Sequence, residues 1–182
     1  VTAFIRAIEQ LSEFTGKCVA WLALAMVVLM FSVVVLRYVF DLGWIGLQQS
    51  VTYLYGVFFL LGIAYTQKHN GHVRVDILYQ QYPPKWQAII DLVGTFVLLL
   101  PMCVFIFWVS WGFVALSWQS LESSDAAGGL PGIFILKSFL LLMPVLLALQ
   151  GLAQALSIIL WLRGHLAYLE PYQSNEQHGS GV

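Results

Sequence analysis

Charge is scarce in this sequence. Asp, Glu, Lys and Arg make up 9% of its 182 residues, against roughly a quarter in a soluble domain. Hydrophobic residues supply 60% and the mean hydropathy is +0.83, so water is not the solvent for most of the chain. With a formal net charge of only -1, no global field draws it to nucleic acid, and each charge counts by its position. Cysteine is scarce too. Cys18 and Cys103 each sit in an apolar run without motif spacing, and both are expected to be buried thiols packing as small hydrophobes.

The long apolar runs lack a second set of groups. None has Asp, Glu, Lys, Arg or His near its centre, which removes the ionisable group that a self-sufficient ion-coupled transporter needs at membrane depth. Haem held between helices would need histidines inside the runs, but His69 and His72 lie between runs and His165 and His178 follow the last. Glycine-rich phosphate loops, H-E-x-x-H and nucleophile elbows are missing as well. His72 and Asp76 are spaced i, i+4, but without a third ligand they read as a hydrogen bond or charge pair. No enzyme activity, cofactor or metal is expected.

Four long runs are present, and each is long enough to cross about 30 Å of hydrocarbon as a helix. The spans are placed near 18–38, 47–66, 89–116 and 138–161. The fold class is therefore an all-α integral membrane protein with four transmembrane helices. Arg6, Lys17, Lys68, Arg74, Lys85 and Arg163 share one side, and only Arg37 and Lys137 fall on the other. The positive-inside rule makes the richer side cytoplasmic, with both termini there. Tyr38, Trp44, Trp86, Trp118 and Trp161 fall near the expected interfaces, as aromatic belts do.

Three regions follow. Residues 1–16 carry Phe4, Ile8, Leu11 and Phe14 on one helical stripe, opposed by Arg6, Glu9, Gln10 and Glu13, the pattern of an amphipathic helix lying on a membrane. Glu9 and Glu13 exclude a signal peptide there, so the first span is expected to stay in the mature protein. Residues 17–163 form the four-helix transmembrane domain. Residues 164–182 form a polar cytoplasmic tail, whose closing Gly179-Ser180-Gly181-Val182 has the composition of a cloning remnant. The segment His69 to Lys85 mixes apolar and charged residues before Pro83-Pro84 and is expected at the inner membrane surface.

Polar residues mark the span borders. Gln48 and Gln49 beside Ser50 open the second span, and two readings stand: hydrogen bonds across helices, or exposure at headgroup level. Pro101 and Pro144 each remove a backbone hydrogen bond and are candidate kinks.

Taken together, these residues resemble a family. Arg37-Tyr38-Val39-Phe40 followed by Trp44 looks like its R-Y-x-F near a tryptophan. Gly62-Ile63-Ala64, then Lys68, then His72-Val73-Arg74-Val75-Asp76, is similar to its G-x-A, basic residue and H-x-x-V-D. Gly128-Gly129-Leu130-Pro131 with Lys137, and Gln150-Gly151-Leu152, complete the set. Over roughly residues 15 to 160 the chain resembles the small, Q-type (DctQ-like) membrane subunit of tripartite ATP-independent periplasmic (TRAP) transporters. Many members carry acidic residues where this chain has Gln48 and Gln49.

The resemblance implies a bacterial inner-membrane protein that supports a large membrane subunit in ion-gradient-driven, sodium-coupled symport of an organic acid delivered by a periplasmic substrate-binding protein. The candidate border and partner residues are Arg37, Tyr38, Trp44, Gln48, Gln49, Gly62, Lys68, His72, Arg74 and Asp76. Glu122, Asp125 and Lys137, in and beside the loop before the fourth span, are the candidates for docking the binding protein, and membrane lipids are further expected partners. Gly56, Gly62, Ala64 and Gly94 are expected to allow close helix approach to the large subunit. The competing readings are a homo-oligomeric channel or exporter and a membrane anchor for a redox enzyme.

Overall fold

A computed structural model describes residues 2–69 and 81–163. His72, Arg74 and Asp76, and the tail 164–182, lie outside the described residues. Four helices carry the rest: α1 (Thr2–Val39), α2 (Ile45–Lys68), α3 (Pro84–Gln119) and α4 (Ile133–Leu162). All four are long and apolar enough to cross a membrane; α1, α3 and α4 outlast the spans expected for them by a turn or more at the N-terminal end, and α2 by two residues at each end. Among the described residues there is no strand, only one isolated bridge between Ser123 and Pro131.

The helices run alternately up and down. α1, α2 and α4 pack mutually, while α3 packs on α4 and leaves most of its circumference outward. The short connections 40–44 and 120–132 share one end of the bundle, the loop end. The start of α1 and the end of α2 share the other, the terminal end. Little of any span is buried, and the outer faces of α1 and α3 expose Trp21, Val27, Phe31, Leu98, Phe105 and Trp108. In hydrocarbon this is the favourable arrangement, because lipid solvates apolar side chains as well as a core does.

Residues 2–16 do not form a separate element. They are the first turns of α1, continuous with its span over 38 residues, about 57 Å at ~1.5 Å per residue. The expected stripe is divided: Ile8 is buried together with Ile5, Ser12, Gly16 and Val19, whereas Leu11 and Phe14 are exposed. The cause is register, since the face that meets α2 and α4 along the span continues without a break toward the N-terminus. Gly16 lies where α1 crosses α2, and a Cβ there would collide with the ring of Tyr65.

Helix α3 changes register at its middle. An α-helical start, Pro84–Gly94, leads into a π-helical turn at Thr95–Leu99 and then α-helix again from Leu100 to Gln119. The Leu100 N–H donates to the Thr95 carbonyl, the wider-ring bond of a π-turn, just ahead of Pro101. Proline has no N–H to offer and its ring crowds the preceding turn, so a widened turn accommodates it. The widened turn also faces α4. A Cβ on Gly151 would sit 2.7 Å from Leu99 Cδ2, so glycine is the residue that lets α4 close on it. Pro144, the other candidate kink, is buried inside an unbroken α4.

The thiols differ from expectation. Cys103 is buried as expected, but Cys18 is exposed, because it falls on the outward side of α1. An apolar run several turns long gives no sign of which residues face lipid.

Candidate functional site

At the loop end, Gln49 reaches from the first turns of α2 to the connection between α3 and α4. Its amide nitrogen donates to Ser124 Oγ, and its Oε1 accepts the Leu130 N–H at 2.8 Å. Tyr53, one helical turn further on, donates its hydroxyl to the Leu130 carbonyl at 3.3 Å, and the Ser124 N–H reaches the same carbonyl. A Cβ on Gly129 would lie 2.7 Å from Gln49 Oε1, so only glycine leaves room for this contact. Gln49 therefore hydrogen-bonds to the α3–α4 connection rather than to another helix, while Gln48 is exposed.

The same connection is fixed at both ends. α3 stops in a Schellman arrangement: the Glu122 N–H bonds to the Ser117 carbonyl and the Leu121 N–H to the Trp118 carbonyl, with Leu121 at φ 44. α4 starts after Gly132 at φ 105, a left-handed position that suits glycine. Lys137 on the first turns of α4 forms an ion pair with Glu122 and stands 3.9 Å from the centroid of the Phe113 ring. The Lys137 hydrogen bond holds the Glu122 carboxyl below its usual range. Trp118 Nε1 donates to Ser138 Oγ at 2.8 Å, and its ring meets Phe134 edge-on at 4.7 Å. Of the docking candidates, Glu122 and Lys137 are thus committed to each other, and Asp125 is exposed.

Beside this connection, the end of α1 and the start of α2 enclose an open cleft. Arg37, Asp41, Gly43, Ile45 and Gln48 line it. A narrower recess alongside is lined by Val33, Leu36, Leu42, Trp44 and Leu47, with Arg37, Gly43 and Gln48 in common. Tyr38 and Trp44 are exposed at this level, 80% and 67%, as residues meeting a membrane interface rather than a core would be.

At the terminal end, polar groups meet in pairs between helices. Ser12 donates to Gln150 Oε1 at 2.7 Å, linking α1 to α4, and Gln67 Nε2 donates to Gln154 Oε1 at 2.9 Å, linking α2 to α4. Lys68 bonds to Glu13 Oε1 at 2.7 Å and to the Glu9 carbonyl at 3.3 Å. His69 Nε2 lies 3.3 Å from the same Glu13 oxygen, with its ring against Tyr65 at 4.3 Å. The small residues expected to meet a partner are mostly occupied inside the chain. Gly56 faces Leu136, Gly62 faces Val19, and Ala64 is buried, whereas Gly94 has open space above it.

Sequence reading named Lys68 but missed its partner Glu13, and missed Ser12, Gln67 and Gln154. A usable signal existed in Gln150 and Gln154, two amides one turn apart in an otherwise apolar helix, which need partners at lipid depth. Among the described residues, no three His, Cys, Asp or Glu side chains converge on a metal site.

Comparison with known proteins agrees with this architecture. Residues 26–160 match the family model described as tripartite ATP-independent periplasmic transporters, DctQ component. Two Haemophilus influenzae proteins, both provisionally named as TRAP transporter small permease proteins, are similar. One is 36% identical over 108 residues, covering 57% of this chain and 66% of the relative. The other is 28% identical over 146 residues, covering 78% of this chain and 82% of the relative. The chain therefore spans just under two thirds of the first relative and about four fifths of the second. With four helices fit to cross a membrane and a family match over most of its length, the protein is a multi-pass membrane protein that belongs to the DctQ component family of TRAP transporters.

Proposed function

We propose that this chain is the fixed small subunit of a TRAP transporter in the bacterial inner membrane. It would extend the frame of a large membrane subunit that carries out sodium-driven uptake of an organic acid. The observation that carries this reading is how the polar groups of the bundle are used. Ser12 with Gln150, Gln67 with Gln154 and Glu13 with Lys68 satisfy one another between helices and hold α1, α2 and α4 together. Groups engaged in this way stiffen a bundle and are not left to bind a passing ion. A frame has that requirement, since a moving transport domain works only against a part that stays still.

Orientation follows from charge in this reading. Arg6, Lys17, Lys68, Lys85 and Arg163 place the terminal end in the cytoplasm, which puts the loop end and its Gln49-braced connection in the periplasm. The exposed Asp125 is then offered to a periplasmic binding protein, with Glu122 shaping the loop through Lys137. Binding of that protein to the intact transporter should weaken with Asp125→Ala. An unchanged affinity removes the docking role.

The partner is tested by solubilising native membranes in mild detergent and capturing this chain. Recovery of a large polytopic membrane subunit in stoichiometric amount is the expected result. Recovery of a soluble oxidoreductase, or of this chain alone, rejects the assignment.

A further inference from the structure

The cleft at the loop end carries two opposite charges that do not meet. Arg37 and Asp41 line one hollow, yet no ion pair joins them. Two such groups four residues apart would ordinarily close on each other. Here α1 ends at Val39, and Asp41 turns away in a left-handed conformation at φ 54, while the Leu42 N–H closes the turn on the Leu36 carbonyl at 2.9 Å. The backbone turn thus separates the cation at the end of α1 from the anion in the connection that follows, and both line the cleft unpaired with each other. Gln48, exposed on α2, adds an amide to the same lining.

The surroundings define what fits the gap. The cleft measures about 290 Å³, close to the lower end of small-ligand sites at ~300 Å³, which admits a polar headgroup but not a whole lipid. Val33 and Leu36, which precede Arg37 on α1, line the recess beside it and continue its apolar side away from the loop end, while Leu42 and Leu47 line it at the level of the cleft. Exposed Tyr38 and Trp44 mark headgroup level beside it. Chemistry therefore calls for a ligand with one negative and one positive group, joined by a short link and carrying apolar chains.

We propose that this cleft binds the zwitterionic headgroup of a phospholipid, an aminophospholipid such as phosphatidylethanolamine. Arg37 and the Gln48 amide take the phosphate, Asp41 takes the ammonium, and the acyl chains lie along Val33 and Leu36. A guanidinium matches phosphate oxygens in a forked geometry that an ammonium side chain lacks. Asp41 makes the site selective, because an anionic headgroup without an ammonium leaves its carboxylate facing the phosphate. The site rests on the chain spanning a membrane and is independent of the transporter assignment.

The test uses the full chain purified in detergent, stripped of lipid and offered equimolar phosphatidylethanolamine and phosphatidylglycerol, with retained lipid counted by native mass spectrometry. Wild type should retain phosphatidylethanolamine in preference. Arg37→Gln should lower its retention about tenfold, the effect of losing a charge-assisted contact. Asp41→Asn should shift the preference toward phosphatidylglycerol, and it leaves the fold intact because asparagine tolerates a positive φ. Helicity and melting measured on both variants separate loss of the site from loss of the fold. Soluble glycerophosphoethanolamine at equal concentration should not displace the lipid. Equal retention of the two lipids by wild type, no change of preference in Asp41→Asn, or displacement by the soluble headgroup overturns the proposal.

Discussion

The Leu130 N–H donates to Gln49 Oε1 at 2.8 Å, joining positions 81 residues apart and fastening the α3–α4 connection to α2. Removing that acceptor leaves a backbone donor without its partner, at a cost of about 1–3 kcal/mol. Gln49→Leu should therefore raise amide exchange at Ser124 and Leu130 without changing exchange at the terminal end. Gln49→Glu should behave like wild type, since a carboxylate accepts from both the Leu130 N–H and the Ser124 hydroxyl. Equal protection at Leu130 in wild type and Gln49→Leu would show that the contact holds nothing.

Gly16 and Tyr65 share one space. A larger residue at position 16 must push the Tyr65 ring away, and overpacking of this kind costs about 1–3 kcal/mol. Gly16→Val should lower the melting temperature of the detergent-solubilised chain, and Gly16→Val with Tyr65→Ala should recover part of the loss. Additive effects in this double-mutant cycle would show that the two positions do not touch.

Acid should loosen the loop end. Lys137 lowers the carboxyl of Glu122 from its ordinary value of 4.5, so the folded state binds that proton less readily than the unfolded chain. The stabilisation is complete above pH 4.5 and is lost as pH falls through the lower folded value. Glu122 is partly open to solvent, so salt should weaken the effect. Exchange around Glu122 should rise on acidification below that point in wild type, and this pH dependence should flatten in Glu122→Gln. The same pH profile in both would remove the ion pair from the account.

Family membership and the four helices were legible in the sequence, because twenty-residue apolar runs and the ordered motifs around them survive without knowledge of packing. Which side of each helix faces inward was not. Cys18 and Val19 are neighbours in one apolar run, one exposed and the other buried, and no polar contrast separates them. In a soluble helix the apolar stripe identifies the core face, whereas in lipid both faces are apolar and the stripe vanishes. The division of Gln48 from Gln49 was hidden for another reason. Adjacent positions on a helix point about 100° apart, and only the partner Leu130, supplied by a distant loop, shows which one turns inward. The π-turn at Thr95–Leu99 had a local sign in Pro101, but its meeting with Gly151 depends on the approach of α4.

Reconstitution is the most direct test of the central claim, that this chain supports transport performed by another subunit. Proteoliposomes bearing a sodium gradient would be prepared with the large membrane subunit and binding protein, with and without this chain, and with this chain alone. Uptake of the organic acid is expected only when all three are present. Uptake by this chain alone, or undiminished uptake in its absence, contradicts the account.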